Sequence, residues 1–191
     1  SEVIPSEDRI DMEIKYNKFG LFGKLVPLYL LLGLILLILA FINVIKPAFS
    51  MKWIMRIAIA VLFFGFAMHI VGLGIRWYIA DHAPWSNAYE SIVFIAASTV
   101  LAGVILARHS PFALAGTAIL AGITMGVAHM NFINPEITNL VPVLKSYWLM
   151  IHVATIISGD GFFGLGSILS FLVMILYLIG AKVNENIDRC I

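Results

Sequence analysis

Charge is what this chain has least of. Asp, Glu, Lys and Arg make up 12 % of its 191 residues, about half the share of a soluble domain. With 61 % of residues hydrophobic, too little polar surface remains to coat a water-soluble globule. Cysteine is almost absent. Cys190 stands alone, which excludes a disulfide framework, a C-x-x-C redox pair and a thiolate zinc site. The net charge is +1 and no basic cluster is present, so no nucleic-acid partner is expected. The sequence also lacks a glycine-rich phosphate loop, an H-E-x-x-H pair, a nucleophile elbow and paired carboxylates within an apolar run. The opening stretch Ser1–Asn17 is polar and holds five acidic residues, unlike a secretory signal, which starts basic and turns apolar. With the end at Cys190-Ile191 it reads as a piece of something longer.

What is present is a set of long apolar runs. Leu25–Ile45 lies between Lys24 and Lys46, and Ile57–Ile75 between Arg56 and Arg76. Ile92–Ala107 follows, with its helix starting at Ala88, then Phe112–Met130. Gly161–Ala181 is the last, preceded by a helical segment from about Lys145 to Ile157. Each approaches the ~20 residues that cross a bilayer, and in lipid such runs are helices because every backbone group must be paired. The fold class is therefore all-α: a polytopic membrane bundle of about five transmembrane helices plus an outer-face interfacial helix. Residues 1–20 form a polar tail or linker and 21–191 the membrane domain.

Parity sorts the loops. The N-terminus, Arg76–Asn87 and Asn131–Ser146 fall on one side; Lys46–Arg56, Arg108–Pro111 and Lys182–Ile191 on the other. Lys and Arg split six against six, so charge bias does not set the orientation. The histidines are less even. His82, His129 and His152 share the first side, and His69 lies seven residues, ~10 Å, below Arg76 toward it. His109 alone is opposite. Trp77, Trp85, Trp148, Tyr78, Tyr89 and Tyr147 also gather on the first side.

Each candidate has a plain reading beside a functional one. In Arg76–Ser91 the aromatics suit the headgroup belt. Pro84 breaks the chain, and Asn87 with Glu90 at N3 makes a capping box. Alternatively the segment is a porphyrin-binding rim, with Arg76 pairing a propionate and Trp77 and Trp85 covering the macrocycle. Trp148 and His152 are four residues apart, hence on one helix face. That spacing suits an imidazole ligating haem iron beside an indole wall, and it suits simple packing. His152 is nine residues, roughly 13 Å, outside the last apolar run. His69 is at membrane depth, where an ionisable group is a functional candidate by default; its plain alternative is a neutral ring bonded to a neighbouring helix. His129 reads as a helix-end residue, and His82 and His109 as loop residues. Asp160, between Gly159 and Gly161, suggests a helix break at the interface, where a carboxylate costs little. The run Gly159, Gly161, Gly164, Gly166, Ser167 and Ser170 suggests close helix packing.

Two motifs then stand out: Pro84-Trp85-Ser86-Asn87-x-Tyr89-Glu90-Ser91, and Leu144-x-Ser146-x-Trp148-Leu149-Met150-x-His152-Val153. With Ile123-Thr124-Met125-Gly126, they resemble the CcsA-type cytochrome c assembly proteins, also called ResC-type, or CcsBA when fused to their partner. The similarity runs from about His69 to Ile179. It implies haem carried across the bacterial plasma membrane and presented on the outer face to apocytochrome c, whose C-x-x-C-H cysteines receive the vinyls. It implies haem b as transported substrate, His152 as ligand of the haem iron, and an outward-facing histidine-rich side. It implies a ResB/CcsB-like partner half, of whose linker the acidic tail would be a remnant. The family's tryptophan-rich loop and later histidines are not in this sequence, so the chain corresponds to the N-terminal part of the haem-handling domain. Ser158-Gly159-Asp160 stands where the family has a small residue and a tyrosine. The residues assigned to haem are His152, Trp148, Trp85, Arg76, Trp77 and His69. Two other readings stay open: a membrane cytochrome b-type electron carrier using His69 and His129, and a purely structural anchor.

Overall fold

The computed structural model is all-helical and describes residues 6–46, 50–106, 110–130, 133, 135–137 and 146–178. Among the described residues six helices follow one another: α1 Glu7–Phe19, α2 Leu21–Ile45, α3 Met51–Ala80, α4 Ala88–Leu106, α5 Pro111–Ala128 and α6 Tyr147–Leu178. Five of the described stretches are long and apolar enough to cross a membrane: Glu7–Ile45, Met51–Ala80, Ala88–Leu106, Pro111–Ala128 and Tyr147–Leu178. The protein is a multi-pass membrane protein of the predicted class. His109, Asn139–Lys145 and Lys182–Ile191 lie outside the described residues.

Helix α5 is the hub, touching α2, α3, α4 and α6. Small residues make this possible. A Cβ on Gly33 of α2 would lie 2.7 Å from the backbone nitrogen of Ile119 and 3.0 Å from the carbonyl of Ala115. The two backbones therefore meet directly, as membrane helices do where small residues replace bulk. Tyr29, Leu36, Leu62, Val93, Val100, Leu114 and Met125 fill the core around this joint. Helix α6 packs on α4 and α5 from one side, and among its residues only Gly161, Leu165, Leu172 and Leu176 are buried.

The polar tail contains an ordered helix, α1. Ser6 precedes it, Glu7 and Asp8 occupy its first turn, Lys18 its last. Gly20 ends it in the left-handed region at φ 56°, its N–H donating to the Tyr16 carbonyl at 3.1 Å, a conformation cheap only for a residue without Cβ.

The expected break near Asp160 is absent. Helix α6 runs 32 residues, ~48 Å, and the segment expected from Lys145 to Ile157 is its first third, in line with the span. A single glycine lowers helix propensity without removing any backbone donor, and in lipid a break would leave backbone groups unpaired. The depth of Asp160 changes accordingly. Gly161 packs against α4 between Ile95 and Thr99: a Cβ there would come 2.9 Å from the Ile95 carbonyl and 2.9 Å from the Thr99 nitrogen. Ser98 and Ser158 hydroxyls meet at 3.4 Å. Those residues bracket the midpoint of the 19-residue α4. Gly164 likewise faces Leu120, at the centre of α5. Asp160 thus sits within about one turn of mid-depth rather than at the interface, where a charged carboxylate costs ~2.5–3.5 kcal/mol or more. The same register puts His152, nine residues before Gly161, ~13 Å from the midplane, at the hydrocarbon edge and not 13 Å beyond it.

Candidate functional site

The chain turns sharply between α3 and α4. Asp81 takes the left-handed conformation at φ 59°, tolerable for a short polar side chain, and its N–H donates to the Trp77 carbonyl at 3.0 Å. The Asn87 side chain caps α4 as predicted, accepting from the Glu90 N–H at 2.8 Å. The carboxylate of Glu90 does not complete a standard capping box. Its Oε2 accepts from the Ser86 N–H at 3.2 Å, one residue earlier than the box requires.

Glu90 faces Arg76 instead. Arg76 Nε and Nη2 both donate to Glu90 Oε1 at 3.2 Å, and Nη1 donates to the Pro135 carbonyl at 3.0 Å. Both side chains are buried. The guanidinium carbon lies 4.9 Å from the Tyr89 ring centre and 6.0 Å from that of Tyr16. One cation therefore joins α1, α3, α4 and the 135–137 segment. His82, read from sequence as an unremarkable loop residue, is buried, with Nδ1 3.9 Å from Glu90 Oε2.

Beside this pair opens a cleft of about 420 Å³ lined by Tyr16, Phe22, Arg76, Tyr89, His129 and Pro135, among others. His129 Nδ1 lies 2.8 Å from the Met125 carbonyl. A carbonyl only accepts, so Nδ1 donates in this contact. Tyr16 and the cleft itself are the features that sequence reasoning missed. Start and stop signals around α1 were readable; its docking over Arg76 was not.

The six residues assigned to haem divide into three places. Trp77 and Trp85 meet edge to face at 5.9 Å, and Trp85 also abuts Phe94 at 5.0 Å. Arg76 is engaged by Glu90 as described. Trp148 and His152 stand apart on α6, with Trp148 78 % exposed and its described ring contact being with its own neighbour Tyr147. His152 is exposed and bonds to no described residue. His69 is fully buried against Phe22, ring centres 5.3 Å apart, and Tyr29, 6.3 Å apart.

The profile of the family described as "Cytochrome C assembly protein" matches residues 85–188. The chain belongs to the cytochrome c assembly protein family. Protein NrfI of Wolinella succinogenes is 39 % identical across 99 % of this chain and 21 % of its own length. Cytochrome c biogenesis protein CcsA of Prochlorococcus marinus is 32 % identical over 55 % of this chain and 34 % of its own length. CcsA of Arabis hirsuta is 36 % identical over 62 % and 37 % respectively. The chain thus spans about a fifth of NrfI and about a third of these CcsA proteins. The family match takes in Trp85, Trp148 and His152; His69, Arg76 and Trp77 precede it.

His69 raises a stability question of its own. Neither ring nitrogen has a hydrogen-bond partner among the described residues; the backbone of Val93 approaches it without meeting hydrogen-bond geometry. An unpaired buried polar group costs ~1–3 kcal/mol, whereas an apolar group of the same size costs nothing of that kind. His69→Leu is therefore expected to unfold in detergent at the wild-type midpoint or above it. A loss beyond ~2 kcal/mol would mean that the imidazole is paired in the membrane.

Proposed function

We propose that this chain is the haem-handling part of a cytochrome c assembly protein. It would hold haem b, its transported cargo, at the outer face of a bacterial plasma membrane and present it to apocytochrome c carrying a C-x-x-C-H motif, alongside a ResB/CcsB-like partner half. The family match across His152 and its surroundings supports this reading, together with the state of that residue: an imidazole at the hydrocarbon edge, exposed, with neither nitrogen committed to a described residue, one turn from Trp148. Those are the properties an axial ligand needs before its metal arrives. The bound haem supplies an iron that accepts the imidazole lone pair and an apolar ring edge that favours the lipid boundary.

The chain's own residues would do the positioning. Trp148 offers an indole face along the same side of α6 as His152. Trp77 and Trp85, with Arg76 anchoring the turn that bears them, would form a second aromatic surface on the same side of the membrane. Arg76 directs three of its five N–H donors to Glu90 and Pro135, so its first part in this reading is to fix that turn. The electron-carrier alternative gains nothing from the geometry. Phe22 and Tyr89 stand between His69 and His129 as a chain of ring contacts at 5.3, 6.5 and 5.9 Å, and no facing histidine pair forms among the described residues.

Haem titration of the purified protein in detergent tests the proposal. The wild type should give a sharp Soret band characteristic of axial histidine ligation, and His152→Ala should lose most of it while His69→Leu and His129→Ala retain it. Retention of the wild-type spectrum by His152→Ala would remove that residue from the haem site.

A further inference from the structure

The mid-depth carboxyl of α6 has no place in the haem reading. Asp160 is exposed on the described bundle and makes no hydrogen bond or ion pair with any described residue. Its helix presents one long open face. His152, Ile156, Gly159, Phe163, Gly166, Ser170, Met174 and Tyr177 recur at intervals of three and four, so they line a single stripe, with Asp160 and Ser167 along its edge. Within that stripe Phe163 is 79 % exposed and Tyr177 82 %. A Cβ added at Gly159 or Gly166 would meet nothing within 4 Å, whereas Gly161 and Gly164, on the opposite side of the same helix, are filled by α4 and α5. The bundle thus uses half of the small residues on α6 and leaves the other half vacant around a carboxyl.

Lipid alone suits the apolar part of this face but not Asp160, because an intramembrane carboxyl needs a donor. The described residues offer none. Lys24, Lys46, Lys52, Arg56 and Arg76 lie near helix ends, and Arg76 is already paired. A second copy of the described bundle would bring no cation to that depth either. We infer that this face of α6 docks a further membrane-spanning helix carrying Lys or Arg at mid-depth, its backbone seated close against Gly159 and Gly166 and its cation on Asp160. The inference depends on the register of α6 against α4 and α5 and stands independently of haem binding.

The test uses the full chain, fluorescently labelled, in phosphatidylcholine vesicles. Energy transfer is measured to a synthetic polyleucine helix of about 20 residues with a single central arginine, and to the same helix with leucine at that place. The arginine helix should reach half-maximal transfer at about one-tenth the density of the leucine helix. Asp160→Leu should abolish that difference. Gly166→Leu, which fills open space, should weaken transfer with folding unchanged. Equal transfer by the two helices, or an arginine preference that survives in Asp160→Leu, would overturn the inference. So would transfer between two labelled copies of the chain that Asp160→Leu eliminates, since the face would then be a self-association surface.

Discussion

Arg76→Met is expected to lower the stability of the folded bundle by roughly 3–5 kcal/mol, the range for removing one partner of a buried ion pair. The loss comes mainly from Glu90, whose carboxyl would be left fully buried without its cation, with a backbone N–H from Ser86 as its other described donor. Unfolding by increasing SDS in mixed micelles would report it as a large drop in midpoint. Two companions sharpen the reading. Arg76→Lys keeps the charge but not the fork that reaches Glu90 and Pro135 together, so it should recover only part of the loss. Arg76→Met with Glu90→Leu removes both charges, and should be much closer to wild type than Arg76→Met alone. An Arg76→Met protein as stable as wild type would mean that the pair is solvated in the membrane and that the turn between α3 and α4 is held by other contacts.

Gly161→Leu should be the most damaging change in α6. The atoms that a Cβ would strike are the Ile95 carbonyl and the Thr99 nitrogen, both at 2.9 Å, and backbone of a neighbouring helix cannot rotate aside. Overpacking typically costs ~1–3 kcal/mol, and the upper end applies where the only relief is to move the helix. The Ser98–Ser158 contact at 3.4 Å provides a reporter. A disulfide between cysteines placed at 98 and 158 should form readily in an otherwise wild-type chain and poorly in the presence of Gly161→Leu. Gly159→Leu, two residues away with open space around it, should leave the cross-link yield unaltered. Equal yields in all three would place the α4–α6 contact elsewhere.

The spans were legible because hydropathy and flanking charges act locally: Lys24, Arg56 and Arg76 sit near the ends of apolar runs, and the start of α4 at Ala88 follows from Pro84 and the Asn87 cap. The family was legible from two motifs. What failed was depth. Asp160 between two glycines reads as a break when each residue is judged by its own propensity, yet in lipid the penalty for unpaired backbone overrides propensity and the helix continues. Only the packing of Gly161 against the centre of α4 reveals where along its length α6 crosses the midplane.

The site was legible in type but not in grouping. Arg76, Glu90 and Tyr89 lie in one motif, and the sequence signals that they belong together. It gave no sign that Tyr16, sixty residues earlier in a stretch that looks like a solvated tail, would lie near the same guanidinium, or that Pro135 would supply its second acceptor. Contacts so distant along the chain depend on how the chain turns at Gly20 between α1 and α2, and a single left-handed residue carries little signature beyond its glycine.

Helix α6 is also a lever. It is one unbroken rod, seated at Gly161 on the spine of α4, and the imidazole of His152 rides nine residues, ~13 Å, out along its arm. A tilt of about ten degrees at that pivot would swing the ring sideways by about 2 Å, the scale on which a metal–nitrogen bond is made or broken. Whatever presses on the vacant side of the rod in the middle of the bilayer would therefore be felt at its tip.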